Sequence, residues 1–136
     1  MTINEIQDEV VEEFADLDDD TRFQILIDLG SEQQPLEACY KTDENLIDGC
    51  QSRVWLVSEM TAEGRLIFRA ESDALIVRGI VMLLIRVLSD HTPREIVDAD
   101  LYFIRETGLA EHLSPTRSNG LMAMLRRMKV IAAQHL

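Results

Sequence analysis

The chain is short of the residues that build metal centres and covalent cross-links. Its 136 residues include two cysteines, Cys39 and Cys50, and three widely scattered histidines. The cysteines form no C-x-x-C pair, and no histidine lies at metal-ligand spacing, so the sequence argues against zinc and predicts no metal site. A reducing compartment disfavours disulfides, and we therefore expect both thiols to be free.

Basic residues are also few, and the formal net charge is −12. This balance argues against a nucleic-acid partner, because phosphates would be repelled. Residues 1–48 carry 15 acidic and 2 basic side chains, whereas residues 114–136 carry four basic side chains and no acidic one. Acidic and basic faces on one domain suit oriented docking to a protein, although solubility alone explains the acidic half at least as well.

Long hydrophobic runs are missing as well. The longest apolar stretch, residues 74–88, is interrupted by Arg78 and Arg86 and is shorter than the about 20 residues that a membrane span needs. The acidic start of the chain does not have the pattern of a signal peptide. We therefore expect a cytoplasmic protein with no membrane association, and the length fits a single domain over residues 1–136.

Local patterns predict an α+β fold in which helices pack on a small antiparallel sheet of about three strands. Residues 53–60 and 65–71 have strand character and are joined by the turn 61–64, and residues 45–48 suit a short edge strand. Thr2 and Glu5 form a capping box for a first helix. Aspartates 18–20 precede a second helix, which should end near Gly30.

The second half of the chain is predicted to be helical. Asp73 suits the N-cap of a central core helix that ends at Leu88, and Gly79 in its middle suggests the close approach of another element. Thr92 to Glu95 form a second capping box, followed by a short helix and a further short helical piece at 101–106. Ser114-Pro115 opens the last helix, for which Ser118 and Asn119 are alternative caps. The expected buried positions of the second and last helices are Phe23, Leu26 and Ile27, and Leu121, Leu125, Met128 and Ala132.

Residues 48–55 carry the most chemical information. Gly49 can take a positive φ at little cost, which would present Cys50 at a loop tip, and the apolar strand that follows would hold the loop in place. Cysteine is also among the most buried residue types. The turn alone therefore leaves both a reactive thiol and a core cysteine open.

The heptad Gly49-Cys50-Gln51-Ser52-Arg53-Val54-Trp55 resembles the signature of the SufE/CsdE family of sulfur-acceptor proteins. Three further stretches are similar to the family in order and spacing: residues 71–79, 92–97 and 112–121. The resemblance extends over most of the chain from Asp48 to the end. It implies a SufE/IscU-like fold for the whole domain.

The resemblance also implies a function. Such proteins take a persulfide sulfur from a cysteine desulfurase of the SufS/CsdA type, stimulate that enzyme, and deliver sulfur to an iron–sulfur scaffold complex. The chain would then be an accessory protein and not an enzyme in its own right. It would need no cofactor, because pyridoxal phosphate belongs to the desulfurase, and it would be a monomer or a weak homodimer.

The expected roles of individual residues follow the matched motifs. Cys50 would form the persulfide, and we expect Arg117 to approach the Cys50 loop and stabilise the thiolate or persulfide. Asp73 is first of all an expected helix cap, and partner contact comes second. The residues expected to contact the partner are Gly49, Gln51, Ser52, Arg53 and Asp73.

Two other classes of function stay open. A thiol hydrolase or peroxidase would use Cys50 as nucleophile with a histidine as base, but no histidine has a spacing that suggests this pairing. A non-catalytic interaction module would carry the cysteine incidentally, and it would retain its effect on a partner after Cys50→Ser.

Overall fold

The computed structural model describes residues 1–50, 52–111 and 113–136 and has the expected α+β fold. Two strands are preceded by two helices and followed by four. Short 3-10 turns at Ala38–Tyr40 and Asp43–Asn45 lie between α2 and β1. The helices and strands are α1 (Ile3–Phe14), α2 (Asp19–Ser31), β1 (Val54–Met60), β2 (Leu66–Ser72), α3 (Leu75–Leu88), α4 (Pro93–Asp98), α5 (Phe103–Glu106) and α6 (Pro115–Ala133).

The sheet is an antiparallel hairpin whose register pairs Val54 with Ser72 at one end and Met60 with Leu66 at the other. The expectation of about three strands was one too many for the described residues. In place of an edge strand at 45–48 there is one bridge between Leu46 and Trp55, because the chain turns away immediately afterwards toward Gly49. One face of the hairpin is buried, and it contributes Leu56, Phe68 and Ala70 to the core.

Helix α3 is the centre of the core. Eight of its 14 residues are buried, and it packs against α1, α2, α6 and β2. Arg86 near its end forms ion pairs with Glu9, at 3.5 Å, and with Glu13, which fixes α1 against α3. None of the helices in the described ranges is both long and apolar enough to cross a membrane.

Helices α2 and α3 touch through their backbones. A side chain on Gly79 would place its Cβ 2.0 Å from the Leu26 carbonyl oxygen, so the predicted close approach at Gly79 is confirmed. Leu26 is buried as expected and Phe23 is half-buried against the core. The prediction that Ile27 packs in the same buried stripe is wrong. The further α2 side chains that pack against the core are Ile25 and Leu29.

The capping predictions have mixed outcomes. The boxes at Thr2/Glu5 and Thr92/Glu95 are both formed, and the Asp18 side chain caps α2. Helix α6 is capped by Ser114, whose hydroxyl accepts from Arg117 N at 3.3 Å, so Ser118 and Asn119 do not cap it.

Asp73 is not the cap of α3. The N-cap is Ala74, which has no side-chain bond to the helix, and Oδ1 of Asp73 accepts from Arg53 N at 3.1 Å instead. The carboxylate therefore joins the start of β1 to the segment that enters α3. A local capping signal was overridden by this tertiary hydrogen bond.

Candidate functional site

Cys50 lies at the turn that connects the Leu46 bridge to β1. Gly49 has φ +93°, as its glycine identity predicted, and this conformation presses the turn against α6. A Cβ built on Gly49 would lie only 3.2 Å from Cβ of Ala123. The turn is thus held from one side by α6, and the Cys50 side chain is half-buried beneath it.

The Cys50 thiol points at the backbone of α6. Its Sγ atom donates a long hydrogen bond to the carbonyl oxygen of Gly120, at 3.7 Å. A carbonyl can accept this bond only from the protonated thiol, which is a weak donor. Burial also raises the pKa of the Cys50 thiol. Both effects favour the neutral form, so this conformation holds a resting thiol and not an activated thiolate.

The thiol opens into a pocket of about 430 Å³. The wall is built from the Cys50 turn, α3 and the first three turns of α6. Gly120 leaves space here, since a Cβ on it would lie 3.6 Å from Cys50 Sγ, at ordinary contact distance. The lining residues are Cys50, Ser52, Val77, Ser114, Thr116, Arg117, Gly120 and Met124.

Arg117 lines the same pocket as Cys50, although 66 positions separate them in the sequence. It belongs to the first turn of α6 and is exposed. Within residues 1–50, 52–111 and 113–136 its guanidinium has no ion pair and no hydrogen bond. The structure therefore brings the two residues to one pocket, and the effect of Arg117 on a thiolate or persulfide stays a prediction.

The other predicted contact residues surround the mouth of this pocket in part. Ser52 lines it, and exposed Arg53 and Asp73 form a backbone-anchored pair next to it, with Asp73 N donating to Arg53 O at 3.3 Å. Gln51, and His112 of the motif 112–121, lie outside the described residues. Partner contact by any of these residues is still a prediction.

Sequence reasoning missed Val77, Thr116 and Met124 as parts of the pocket. They come from two helices that meet the Cys50 turn only in three dimensions. One signal was present: Thr116, Gly120 and Met124 follow each other at four-residue steps, which places them on one face of a helix. Gly120 in that row marks the place where the thiol fits against the helix.

Cys39 lies elsewhere, exposed in the turn Ala38–Tyr40. Both cysteines are free, as expected. Among the described residues no group of three or more His, Cys, Asp or Glu side chains could hold a metal ion. The described residues bring to the site one thiol with an arginine and a helix N-terminus beside it.

Comparison with known proteins gives a consistent answer. The sequence model of the family described as "SufE: Fe-S metabolism associated domain" matches residues 8–132. An uncharacterised SufE-like protein of Rhizobium meliloti (strain 1021) is 39% identical over 127 residues, covering 90% of this chain and 91% of that protein. The solution structure of a hypothetical protein from Thermus thermophilus has a TM-score of 0.78 at 21% identity, covering 96% of this chain and 95% of that one. That structural match supports the fold.

Proposed function

Since this chain belongs to the SufE family, which is associated with iron–sulfur metabolism, we propose that it accepts sulfur from a cysteine desulfurase onto Cys50 and delivers that sulfur for cluster assembly. The observation that carries the proposal is the position of the Cys50 thiol: on a glycine turn, facing a pocket that it shares with Arg117. The cysteine sits where a second sulfur atom has room.

The transfer is a thiol–persulfide exchange. The Cys50 thiolate attacks the outer sulfur of the desulfurase persulfide, the sulfur–sulfur bond of the donor breaks, and a new one forms at Cys50. The donor cysteine leaves as a thiolate and takes up the proton that Cys50 lost. No external oxidant or reductant is needed, because the outer sulfur keeps its oxidation state.

The resting thiol needs to change before it reacts. In the pocket it is protonated and bound to the Gly120 carbonyl, and only a thiolate is a good nucleophile. We propose that docking of the desulfurase draws the turn away from Ala123, with Gly49 as the pivot. Arg117 and the N-terminus of α6 would then stabilise the anionic sulfur.

The accessory role follows from the same reasoning. We propose that the chain is not an enzyme in its own right but stimulates the desulfurase by removing its persulfide, and that pyridoxal phosphate remains with that partner. The next acceptor would be an iron–sulfur scaffold complex. A cytoplasmic location and a monomer or weak homodimer fit these partners.

A thiol hydrolase or peroxidase finds less support. His91 is buried, and its two ring nitrogens face the backbone carbonyls of Ser89 and Met1, each at 2.9 Å. That ring is committed to structure and is not free to act as the base for Cys50. Turnover of hydroperoxide or thioester substrates by the chain alone would favour the enzyme.

The test is intact-mass analysis after incubation with a purified cysteine desulfurase and cysteine. We expect the parent chain to gain the mass of one or more sulfur atoms and to lose it on reduction. Cys50→Ser should gain nothing, whereas Cys39→Ser should behave like the parent. The Cys39 variant is the matched control, because Cys39 is the more exposed of the two thiols.

The outcomes separate the candidates. Loading of Cys50→Ser, or loading that moves to Cys39, would contradict the assignment of the sulfur site. If the desulfurase turns over faster in the presence of Cys50→Ser as well as the parent, the chain acts as an interaction module and its cysteine is incidental.

A further inference from the structure

The arginines around Cys50 differ from the other basic side chains. Most of the 13 Lys and Arg side chains are bound to carboxylates or backbone carbonyls, as in Arg65 with Asp90 at 2.7 Å, or Arg127 with the Glu44 carbonyl at 2.6 Å. In the part of the chain that the structure describes, the guanidinium groups without an ion pair or hydrogen bond belong to Arg53, Arg117 and Arg126. This is unexpected in a protein with 25 acidic residues.

Arg126 lies in an exposed row on α6. The row consists of Met122, Arg126 and Val130, which recur at four-residue steps and so form one inclined ridge on the helix surface. Met122 and Val130 are 44% and 47% exposed, which is a high value for large apolar side chains. We call Met122, Arg126 and Val130 the α6 row.

Two residues of the α6 row, Arg126 and Val130, lie beside the Cys50 turn. Arg126 and Val130 line a shallow groove of about 180 Å³ together with Asp48, and Ala123 in the same groove is the residue against which Gly49 packs. Asp48 is the acidic residue of this groove. A protein that reaches Cys50 over the Gly49 turn would therefore also contact Arg126 and Val130.

From these observations we propose that the α6 row is part of the docking surface for the protein that donates the persulfide, and that it binds an acidic patch with an adjoining apolar strip on that donor. The proposal rests on the proposed function of Cys50. Unpaired guanidinium groups on an acidic protein favour carboxylates, which they bind in forked geometry. The two exposed apolar side chains would be buried at the same time, as at the centre of a protein interface.

The distribution of charge also explains why an acidic donor should not dock elsewhere on the surface. Residues 1–48 carry most of the negative charge. An acidic partner is repelled by most of that part, and it is attracted by Arg117 in the Cys50 pocket and by Arg126 in the groove beside the turn. The attraction orients the encounter so that the donor sulfur arrives near Cys50.

The experiment measures the rate of Cys50 persulfide formation against chain concentration, with a fixed amount of a cysteine desulfurase that loads the parent. We expect Arg126→Glu to raise the apparent KM by about tenfold or more at low salt, while the rate at saturation stays within about twofold. Added salt should raise the KM of the parent more than that of the variant. Met122→Ser should raise KM by a few-fold without changing the salt dependence.

The matched control is Arg65→Glu, which changes the charge equally at the opposite end of the hairpin. It should leave KM close to that of the parent. A low-molecular-weight persulfide should load Arg126→Glu and the parent at equal rates, because that donor needs no docking surface.

Several results would overturn the docking surface alone: an unchanged KM in Arg126→Glu, equal increases in Arg126→Glu and Arg65→Glu, or slower loading by the low-molecular-weight donor. A parent dimer that Arg126→Glu converts to a monomer would assign the α6 row to self-association instead. If no desulfurase loads the parent chain, the proposed function falls first and the docking surface with it.

Discussion

Two buried glycines, one in α3 and one in α6, show how differently the helix contacts of this fold are packed. At Gly79 the backbone of α2 takes the place of a side chain, and an added Cβ would lie 2.0 Å from the Leu26 carbonyl oxygen. At Gly120 the place of a side chain is taken by the Cys50 thiol, and an added Cβ would lie 3.6 Å from Sγ. The first glycine fixes two helices together, and the second leaves room for one reactive atom.

The difference separates the scaffold from the site. A backbone contact between α2 and α3 cannot adjust, because neither helix can move without disturbing the core around α3. The Cys50 turn meets α6 where Gly49 faces Ala123 and where the thiol makes a long hydrogen bond to Gly120, and we expect these contacts to separate at smaller cost than the backbone contact of α2 with α3. The comparison leads us to expect a rigid α2–α3 base and a Cys50 turn of much lower local stability.

The largest effect should come from Gly79→Ala. The added methyl group would force α2 away from α3, and we expect the free energy of unfolding to fall by about 3 kcal/mol. Urea denaturation followed by far-UV circular dichroism measures it. Reactivity of the Cys50 thiol in the folded fraction should change little, because the site does not depend on α2.

Gly120→Ala is the control within the same comparison. It replaces a glycine inside a helix where the new methyl group meets an ordinary contact, so alanine should stabilise α6 by about 0.5 to 1 kcal/mol. Equal losses of stability in the two variants would mean that the two contacts are packed alike, and the distinction between scaffold and site would be lost.

How much the sequence could predict depends on how far apart in the chain the interacting residues lie. The capping boxes at Thr2 and Thr92 need only residues three positions apart, and both are formed. Asp73 is an equally good N-cap residue by its local sequence, but its carboxylate accepts a hydrogen bond from the backbone N–H of Arg53 and does not cap α3. The predicted α3 cap was therefore wrong because Asp73 binds a residue 20 positions away, which the local sequence does not show.

The site divides in the same way. The positive φ of Gly49 and the exposure of a turn before Cys50 were predictable from two adjacent residues. The bond from the thiol to Gly120 and the pocket shared with Arg117 depend on how α6 crosses the turn. The motif resemblance indicated that these segments belong together, and only the fold shows that Gly120 is the point of contact.

The next largest effect is expected for Gly49→Ala, which disturbs the contact between the Cys50 turn and α6. An alanine at φ +93° costs about 1 to 2 kcal/mol, and its Cβ would also crowd Ala123. The turn should relieve this contact by lifting from α6. In a Cys39→Ser background, we expect the Cys50 thiol of Gly49→Ala to react several-fold faster with iodoacetamide than that of the parent.

Gly64→Ala tests whether the contact with α6 matters. Gly64 has φ +81° in the hairpin turn and no atom within 4 Å of a built Cβ, so it shares the backbone penalty without the crowding. It should lose a similar amount of stability and leave the reactivity of Cys50 unchanged. Faster alkylation in both variants would indicate general loosening and not release of the Cys50 turn.

The smallest effect concerns pH. Because burial raises the pKa of the Cys50 thiol, the folded chain holds its proton to higher pH than the unfolded chain does. The resulting contribution to stability is complete below the pKa of an unfolded cysteine, about 8.5, and is lost as pH rises through the higher pKa of the folded state. The parent should therefore lose more stability than Cys50→Ser between neutral pH and pH above about 9.

The pKa of the Cys50 thiol can also be measured from the pH dependence of its alkylation rate in the Cys39→Ser background. The pH midpoint of the rate should lie above that of the urea-unfolded chain, and Gly49→Ala should bring it back toward the unfolded value, because the released thiol is hydrated and no longer bound to Gly120. A folded midpoint at or below the unfolded one would mean that Arg117 or the start of α6 already outweighs burial. In that case the thiol would be activated before any partner arrives, and the turn would not need to open for Cys50 to react.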